Sequence, residues 1–498
     1  MTLSPLRFRL LVASLLVVSF LGALDHTVVS TSLSTIAGEL GALEHLSWIM
    51  VGYTLAATVM LPILGKLGDV VGPRRIFLLS LAAFVVASLV CGFAGDMTAL
   101  VIARVVQGVS SAGIQLMSQT IIARVTTPRQ RPRYMAIIGA AFPIAIVIGP
   151  VLGGLITDFW GWPWVFWINV PVGVIAFALA LIAVPGLPGG AHPRFDIVGS
   201  VVFTIALVAL VLAVTWLGAD ELLVQTIVCF AVAAAGLAIF VAIEARASAP
   251  VVPLHLFGNR TIVACLALST IIGAGLFAMT SYLPTYFQMA YSLSATMSGL
   301  VPIATVLGML VSNLVTGHLV SRNGRYRPYP IIGTVLGAAG LVAMSLLPVG
   351  TPLWVPMAVM AVVGVGTGAF MNLIFALAQS AGSRDDLGAV TATTNLVRQI
   401  GSTVGTAVIG GVIGFGVAAA LPPVLDAASL TPQQVHAASA AVQAEVAGIY
   451  HDVFAPIFLA LAGVYLLGLL AALALPSGRL SDQPEPSSAP AAAPQPTA

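Results

Sequence analysis

Fourteen runs of about twenty apolar residues follow one another along this chain, and they restrict its possible folds more than any other feature. A helix needs about 20 apolar residues to cross the hydrocarbon core of a bilayer. Only 7% of the 498 residues are charged, whereas a soluble domain carries about 25%. The sequence therefore predicts an all-α integral membrane protein. The predicted spans are 9–31, 46–66, 76–94, 98–122, 134–157, 164–184, 197–217, 223–243, 261–285, 296–320, 328–348, 353–378, 389–416 and 453–475.

The basic residues alternate with the predicted spans. Seventeen of the nineteen Lys and Arg residues fall in the termini and in every second loop, and none falls in the loops between. Because cytoplasmic loops carry an excess of Lys and Arg, we expect both termini in the cytoplasm and the chain in the inner (cytoplasmic) cell membrane. A missing or extra helix would break this alternation, so the alternation also supports the number of spans. The two remaining cations, Arg104 and Arg398, lie inside spans.

The composition argues against several classes of function. A net charge of +2 is too small to indicate a nucleic-acid partner. Cys91, Cys229 and Cys265 each lie in an apolar run and the seven histidines are scattered, so we expect no metal site. The sequence lacks the Gly-Lys-Ser/Thr loop of a nucleotide-driven pump. A membrane enzyme is a remote alternative, because no group of nucleophile, base and ligand residues can be assembled.

Two loops that lie eight spans apart share a pattern. GKLGDVVGPRR (65–75) and GHLVSRNGRYR (317–327) have Gly, Leu, Gly and Arg at the same four offsets. Parallel repeats of this kind are common in transporters, with the substrate site between the repeats. The pattern predicts a six-helix bundle over 1–184, two inserted helices over 185–260, and a second six-helix bundle over 261–475. The outer loop 417–452 should contain a short interfacial helix, and the Pro/Ala/Ser-rich segment 476–498 should be disordered.

With these features the sequence resembles the major facilitator superfamily, and specifically its fourteen-helix drug:proton antiporters, over nearly all of residues 1–475. The resemblance rests on the two loops and on LDHTVV (24–29), LVIARVVQGVSSA (100–112), GPVLGG (149–154), WPWVFWINVPVG (162–173) and NLVRQIGSTVG (395–405). It implies two six-helix bundles in parallel repeat plus two inserted helices. It also implies a proton gradient as energy source, no bound cofactor, and a small amphipathic substrate.

The resemblance also implies gating residues. Asp69, with Arg74 and Arg75, is either a turn acid balanced by two arginines or a latch that docks on the N-terminus of the thirteenth helix near Gly388. Gly149, Pro150 and Gly153 are either a tight packing motif or a flexing seam between the two halves.

The sequence departs from the family pattern in four places: Ser30, Arg124, Ala145 and Pro163. Arg124 stands near the position where the family usually has an acid that joins Asp69, so we expect the latch to be weaker or differently connected here.

Asp25 is the one acid within a predicted span. An ionised Asp at the centre of a membrane helix costs roughly 2.5–3.5 kcal/mol, so it should not face lipid. Asp25 and Arg104 each lie six residues from the outer end of their predicted span, about 9 Å deep at 1.5 Å per residue, which makes a direct or water-bridged pair plausible. The pair is either a static structural contact or a proton site, and we favour proton carriage. His26 should orient or pack rather than carry a second proton.

Further polar and aromatic residues are candidates for the substrate cavity. Gln107, Ser111, Gln115 and Gln119 continue from Arg104 along one face of the fourth helix. Arg398 should either line the cavity or reach the cytoplasmic interface. The remaining candidates are His26, Phe277, Tyr282, Asn313 and Asn372. For the aromatic residues among them, helix packing is the alternative role.

The sequence thus predicts a proton-coupled exporter of amphipathic, often cationic compounds, including drugs, that works by alternating access as a monomer. With a single membrane acid, one proton should be exchanged per cycle. The alternative is an exporter of one endogenous metabolite or lipid, which the sequence scarcely separates from the first.

Overall fold

The computed structural model of the protein describes residues 4–41, 46–189, 195–216, 222–247, 250–421 and 432–483. Within these ranges fourteen helices are long and apolar enough to cross a membrane, which confirms the predicted number. They are α1 Pro5–Leu40, α2 Leu46–Val71, α3 Pro73–Gly92, α4 Met97–Val125, α5 Arg131–Trp160, α6 Pro163–Ala183, α7 Ile197–Thr215, α8 Leu223–Glu244, α9 Arg260–Ala290, α10 Ala295–Asn323, α11 Pro328–Leu346, α12 Trp354–Ala381, α13 Leu387–Ala420 and α14 Ala440–Ala474.

The exterior of the helical assembly is apolar, as a bilayer requires. Large aliphatic and aromatic side chains on many of the helices have half or more of their surface exposed, which water would penalise and lipid does not. Examples are Leu79, Val86, Val151, Phe159, Val174, Ile182, Leu467 and Leu470. The chain is therefore a multi-pass membrane protein.

The two six-helix halves contact each other through equivalent positions of the repeat. Gly65 on α2 lies so close to α13 that an added Cβ would be 2.6 Å from the Cβ of Ala392. Gly317, at the same place in the second repeat, lies so close to α5 that its Cβ would be 2.6 Å from that of Ala136. Because α10 is the repeat partner of α2 and α13 that of α5, the two contacts are related by the pseudo-symmetry that the shared loop pattern predicts.

We call the end of the assembly that carries the N-terminal arginines and the loops after α2, α4 and α10 the basic end. The inserted helices α7 and α8 pack on each other, with the rings of Phe203 and Phe240 4.6 Å apart. They lie against α2 and α13, where Phe203 and Phe240 join Val59 and Leu396 in one apolar cluster. The inserted pair thus covers one side of the junction between the two halves.

α1 extends well beyond its predicted span at the end opposite the basic end. α1 continues to Leu40 instead of residue 31, because Ser30 and Thr31 bond to carbonyls of their own turn and so do not interrupt the helix. It stops at Gly41, whose φ of 71° few other residues adopt.

The predicted outer loop 417–452 is largely helical. α13 runs to Ala420, a short helix spans Pro432–Ala437, and α14 begins at Ala440. The expected short helix is present, but residues 440–452 of the predicted loop belong to α14, whose Ala-rich start has a high helix propensity. Residues 422–431 of this loop lie outside the described residues.

Part of the segment expected to be disordered is bound at the basic end. Leu480 N donates to Gly324 O at 2.9 Å, and Arg129 N donates to Ser481 O at 3.1 Å. Arg129 also forms an ion pair with Asp482. We call residues 476–483 the tail segment; residues 484–498 lie outside the described residues. Composition does not reveal these contacts, because they use mainly backbone groups, and they connect loops of both halves.

Candidate functional site

Asp25 and Arg104 form an ion pair inside the N-terminal half. Arg104 Nη1 lies 2.6 Å from Asp25 Oδ2, and neither side chain has exposed surface. Asp25 lies near the middle of α1 and Arg104 two turns into α4, and both face the helix bundle, where an ionised group avoids lipid. The predicted contact is confirmed. Its role in proton transport stays a prediction.

Two amide side chains add hydrogen bonds to this pair. Gln107 Nε2 donates to Asp25 Oδ1 at 2.8 Å and to Ser88 Oγ at 2.9 Å, while its Oε1 accepts from Arg104 Nη1 at 2.7 Å. Asn169 Nδ2 donates to Asp25 Oδ1 at 2.7 Å. Gln107 was predicted to line the cavity, but it is completely buried in this network, because it lies one turn from Arg104 on the same face of α4.

Asn169 and Tyr53 were missed by the sequence reasoning. Asn169 lies within the WPWVFWINVPVG motif. An isolated Asn in an apolar span was the signal that could have marked it as a functional residue. The sequence does not show, however, which side of α6 faces α1. The guanidinium carbon of Arg104 lies 4.3 Å from the ring centre of Tyr53 and 5.7 Å from that of Phe166. These aromatic faces stabilise the cation on the sides that the carboxylate leaves open. His26, which is half-buried, packs its ring 5.9 Å from that of Tyr53.

The polar face of α4 changes its surroundings along the helix. Ser111 is half-buried and Gln115 is exposed, so Gln115 is free to contact a substrate or solvent. Gln119 is buried, and its Oε1 accepts from Asn395 Nδ2 on α13 at 2.9 Å. The four residues predicted on this face of α4 therefore have different roles. Gln107 joins the ion pair, Ser111 and Gln115 stay at least partly exposed, and Gln119 bridges the two halves.

A cavity of about 540 Å³ lies between α2, α7, α9 and α13, in the half of the assembly away from the basic end. Tyr282, predicted as a cavity residue, lines it. The walls combine aliphatic groups with hydroxyls and one amide, and the residues lining it include no acid and no base. The polar lining residues are Thr54, Thr58, Thr215, Tyr282, Gln399, Ser402, Thr403 and Thr406.

Phe277 and Arg398 meet in the interior of the C-terminal half. The Arg398 guanidinium carbon lies 5.9 Å from the ring centre of Phe277 and 5.2 Å from that of Phe375, and Arg398 Nη2 donates to Asn395 Oδ1 at 2.8 Å. Arg398 is half-buried, one helical turn from the cavity residue Ser402. Of its two predicted positions, the structure supports the one beside the cavity.

Asn313 and Asn372 do not line the cavity, contrary to the prediction. Asn313 Nδ2 donates to Ala136 O on α5 at 3.0 Å, and its Oδ1 accepts from Asn372 Nδ2 at 3.1 Å. Both side chains are buried. These amides fasten α10 and α12 to the N-terminal half, because a polar group in a dry interface finds its partner in the facing backbone.

Asp69 connects α2 to α13 at the basic end. Its Oδ1 accepts from Gly388 N and its Oδ2 from Ala389 N, each at 2.9 Å, at the N-terminus of α13. The helix dipole and the free N–H groups there both favour a carboxylate. Arg124 Nη2 lies 3.2 Å from Asp69 Oδ1. The docking implied by the resemblance is thus present, and Arg124 is a partner of Asp69 where the family usually has an acid.

The two arginines that follow Asp69 are not part of this contact. Arg74 Nη2 donates to Leu181 O at the end of α6, 2.9 Å away, and the side chain of Arg75 is exposed. Their predicted participation in the latch is not supported by these positions.

Gly149 and Gly153 pack α5 against α1 within the N-terminal half. A Cβ on Gly149 would lie 2.0 Å from Thr27 Oγ1, and one on Gly153 would lie 2.7 Å from Val28 O. Pro150 lies on the exposed side of α5. The prediction of a seam between the two halves is therefore wrong for the two glycines, and the alternative of tight helix packing is correct, because only small residues allow this approach.

We expect Asp69→Asn to open the basic end. The change removes the charge from a buried helix-terminus contact worth up to about 2 kcal/mol, so the ratio of open to closed molecules should rise by up to about 30-fold. A cysteine in place of Ser380, which accepts from Arg131 across the halves, reports the opening by its rate of thiol labelling. Arg75→Gln is the control, because Arg75 is exposed. Equal labelling of Asp69→Asn and the parent would contradict a closing role for Asp69.

The tail segment should add to this closure. Deleting residues 479–498 removes the Leu480 and Ser481 backbone contacts and the Arg129–Asp482 pair. At about 0.5–1.5 kcal/mol per hydrogen bond, labelling of Ser380→Cys should rise several-fold. Deletion of 484–498 alone is the matched control and should leave the rate unchanged. The same rate for both truncations would show that the bound segment does not hold the halves together.

Comparison with known proteins supports one family. The model of the Major Facilitator Superfamily matches residues 15–406. An uncharacterized MFS-type transporter of Mycobacterium tuberculosis is 34% identical over 490 residues, covering 96% of this chain and 71% of that protein. The multidrug transporter protein MdtP of Bacillus subtilis is 33% identical over 406 residues, covering 81% and 75%.

A solved structure gives the same result for the fold. The proton:xylose symporter XylE, bound to 6-bromo-6-deoxy-D-glucose, superposes with a TM-score of 0.65 at 12% sequence identity, covering 95% of this chain and 97% of that one. The fourteen spans, the repeat-related contacts and the family match agree. The chain belongs to the Major Facilitator Superfamily and is a membrane transporter rather than an enzyme.

Proposed function

We propose that this transporter is a proton-coupled exporter of amphipathic compounds, drugs among them, with Asp25 as the proton carrier. The observation that carries the proposal is the completely buried Asp25–Arg104 pair. A charged pair in a membrane interior is a functional hypothesis by default, and here it lies in a transporter whose relatives include a protein named as a multidrug transporter.

The proton and Arg104 compete for the same oxygen. Arg104 Nη1 donates to Asp25 Oδ2, so a proton placed on that oxygen displaces the guanidinium. Gln107 and Asn169 both donate to the other oxygen and hold the carboxyl group in place in either state. Protonation therefore exchanges an ion pair for a neutral acid and a free cation. Such a local change in charge is able to shift an equilibrium between two conformations.

Proton exchange needs a conformational change in this mechanism. In the state in which the basic end is closed, the side chain of Asp25 has no exposed surface, so neither water nor a substrate reaches it directly. Tyr53 covers Arg104 and contacts His26, which is only half-buried. We propose that movement of α1 against α2 opens this covering layer when the transporter changes sides.

The charge distribution indicates how the protein is oriented in the membrane. We propose that the basic end is cytoplasmic, that both termini lie there, and that the protein acts as a monomer in the inner membrane. The state described here is then closed toward the cytoplasm by Asp69, with its cavity on the outer side. This is the arrangement from which an exporter releases substrate and takes up an external proton.

The test is substrate-stimulated proton movement in proteoliposomes. The purified protein is reconstituted with a pH-sensitive dye inside, and a panel of amphipathic amines, carboxylates and neutral dyes is added. We expect a subset of the panel to drive proton flux that protein-free liposomes lack. Transport of panel members without any proton flux would refute proton coupling. A response to a single compound would instead favour an exporter of one metabolite or lipid.

A further inference from the structure

Arg398 is a cation without a carboxylate partner. Among the described residues no acid lies within ion-pair distance of it, and its one hydrogen bond goes to the amide oxygen of Asn395. A guanidinium has five N–H donors, so most of its donor capacity is unused by the protein. Asp25 is unavailable to it, because that carboxylate is bound to Arg104 in the other half.

An unpaired guanidinium in a membrane interior favours an anionic partner. Burial of a charge is unfavourable unless it is paired and hydrogen-bonded. The rings of Phe277 and Phe375 supply part of the compensation by cation–π contact, but they fill no N–H donor. The two edges of the guanidinium plane suit a carboxylate or sulfonate, which accepts two parallel hydrogen bonds from it.

The surroundings of Arg398 connect it to both the cavity and the other half. Ser402, one turn farther along α13, lines the cavity, as does the adjacent Gln399. Asn395, which holds the guanidinium, also donates to Gln119 on α4. A ligand on Arg398 would thus touch a hydrogen-bond chain that crosses from one half to the other.

A local distortion of α9 places an aromatic ring beside this cation. Residues Ile272–Phe277 form a π-helical segment, a geometry that often marks functional positions. In this π-helical segment α9 and α13 approach each other closely, since a Cβ on Gly273 would lie 2.0 Å from Arg398 O. Phe277 also makes an edge contact with Phe142 of α5, with ring centres 5.7 Å apart. An aromatic ligand body has apolar surfaces from both halves available here.

The cavity offers no counterpart for a cationic ligand. The residues that line it include no Asp or Glu, and Asp25 has no exposed surface. A cationic substrate would therefore enter a site whose nearest free charge is positive, with an unfavourable Coulomb interaction.

We propose that Arg398, with Asn395 and the rings of Phe277 and Phe375, is an anion subsite, and that the preferred substrates are amphipathic aromatic anions. The carboxylate or sulfonate binds the guanidinium, and the apolar body lies against the rings and the cavity wall. This deepens the proposed function by naming the charge class of its substrate, and it replaces the expectation of cationic substrates.

The test is equilibrium binding of three isosteric probes to the full chain in lipid nanodiscs, without any gradient. The probes are 1-naphthoate, the neutral 1-naphthamide, and 1-naphthylmethylammonium. We expect native protein to bind naphthoate at least about tenfold more tightly than naphthamide, and the ammonium probe most weakly; tenfold is within the range of one charge-assisted pair. Arg398→Gln should bring the affinity for naphthoate down to that for naphthamide, while naphthamide binding changes less than about twofold.

Two variants separate binding from a structural role of the arginine. Arg398→Lys keeps the charge but loses the planar fork, so the preference for naphthoate should be intermediate. Arg260→Gln, at the start of α9, is the control and should behave as native protein. If Arg398 only stabilises packing, Arg398→Gln will weaken all three probes alike or fail to fold, and Arg398→Lys will show the full native preference.

The proposal is overturned if native protein binds naphthoate and naphthamide equally, or if naphthoate shows no binding up to millimolar concentration. Because no proton gradient is present, this outcome is independent of the proton-flux assay. A negative flux result with a positive naphthoate preference would refute proton coupling and leave the anion subsite in place.

Discussion

Asp25→Asn is expected to abolish uphill export. Asn has the same shape and still accepts a hydrogen bond, but it carries no exchangeable proton in the cycle. With one proton per cycle, a pH gradient of one unit supports about tenfold accumulation of a substrate whose export is electroneutral. Everted vesicles with the variant should accumulate no more than vesicles without transporter.

A static ion pair would predict a different result for the neutral double variant. Asp25→Asn alone leaves Arg104 buried without its counter-charge, which costs about 3–5 kcal/mol and could impair folding by itself. Combining it with Arg104→Gln removes both charges and relieves this cost. If the pair is only structural, the double variant should regain uphill export. If Asp25 carries the proton, the double variant should fold and exchange substrate downhill, but still fail to accumulate it.

Asp158→Asn provides a matched control for these variants. Asp158 lies near the end of α5 and is exposed, so its neutralisation should leave export unchanged. Full active transport by Asp25→Asn in the same vesicles would eliminate Asp25 as the coupling site.

The sequence predicts the Asp25–Arg104 pair well because depth along a helix follows directly from residue count. Asp25 and Arg104 could be matched from their distances to the helix ends, whereas the docking of Asp69 was implied only by the family resemblance. The end of α1 was misplaced by nine residues, yet the pair formed, since local hydroxyl–carbonyl bonds let the helix run on past its apolar stretch.

Which way a side chain points was harder to predict, because the rotation of each helix is set by packing against several others. Gln107 was assigned to the right face of α4, but at its level that face is covered by α1 and α3, whose Asp25 and Ser88 accept hydrogen bonds from it. Asn313 and Asn372 are polar residues on two apolar helices, and they hydrogen-bond to each other and to a facing carbonyl instead of to a substrate. Asn169 reaches Asp25 only because α6 packs beside α1, which no local pattern encodes.

The dependence of export on membrane potential should follow the charge of the substrate. An exporter that takes in one proton moves one positive charge inward, and the departing substrate adds its own charge to the balance. A monocation leaving in the same cycle cancels the proton, a neutral compound leaves one net charge, and a monoanion makes it two. With the interior negative, each inward positive charge gains about 2.3 kcal/mol per 100 mV, so the three classes gain about 0, 2.3 and 4.6 kcal/mol.

These energies translate into large differences in limiting accumulation. A potential of 100 mV should raise the limiting accumulation of naphthamide about 50-fold and that of naphthoate by more than about 10³-fold. It should leave the limiting accumulation of naphthylmethylammonium unchanged. In vesicles with both gradients imposed, valinomycin with potassium collapses the potential and nigericin collapses the pH gradient. Valinomycin should therefore reduce naphthoate export far more than nigericin, whereas export of a monocation should fail with nigericin and survive valinomycin.

The ionophore experiment with a monocationic substrate also measures the number of protons exchanged per transport cycle. A second proton per cycle would add one inward charge for every substrate and make even monocation export sensitive to valinomycin. No second acid lies buried at mid-helix among the residues that the structure describes within α1 to α14, so an additional proton would require another group. His26 is the first candidate, because its half-buried ring contacts Tyr53 beside the ion pair. His26→Gln should then restore potential-independent export of the monocation, and if it does not, the extra charge must be carried by a group elsewhere in the cavity.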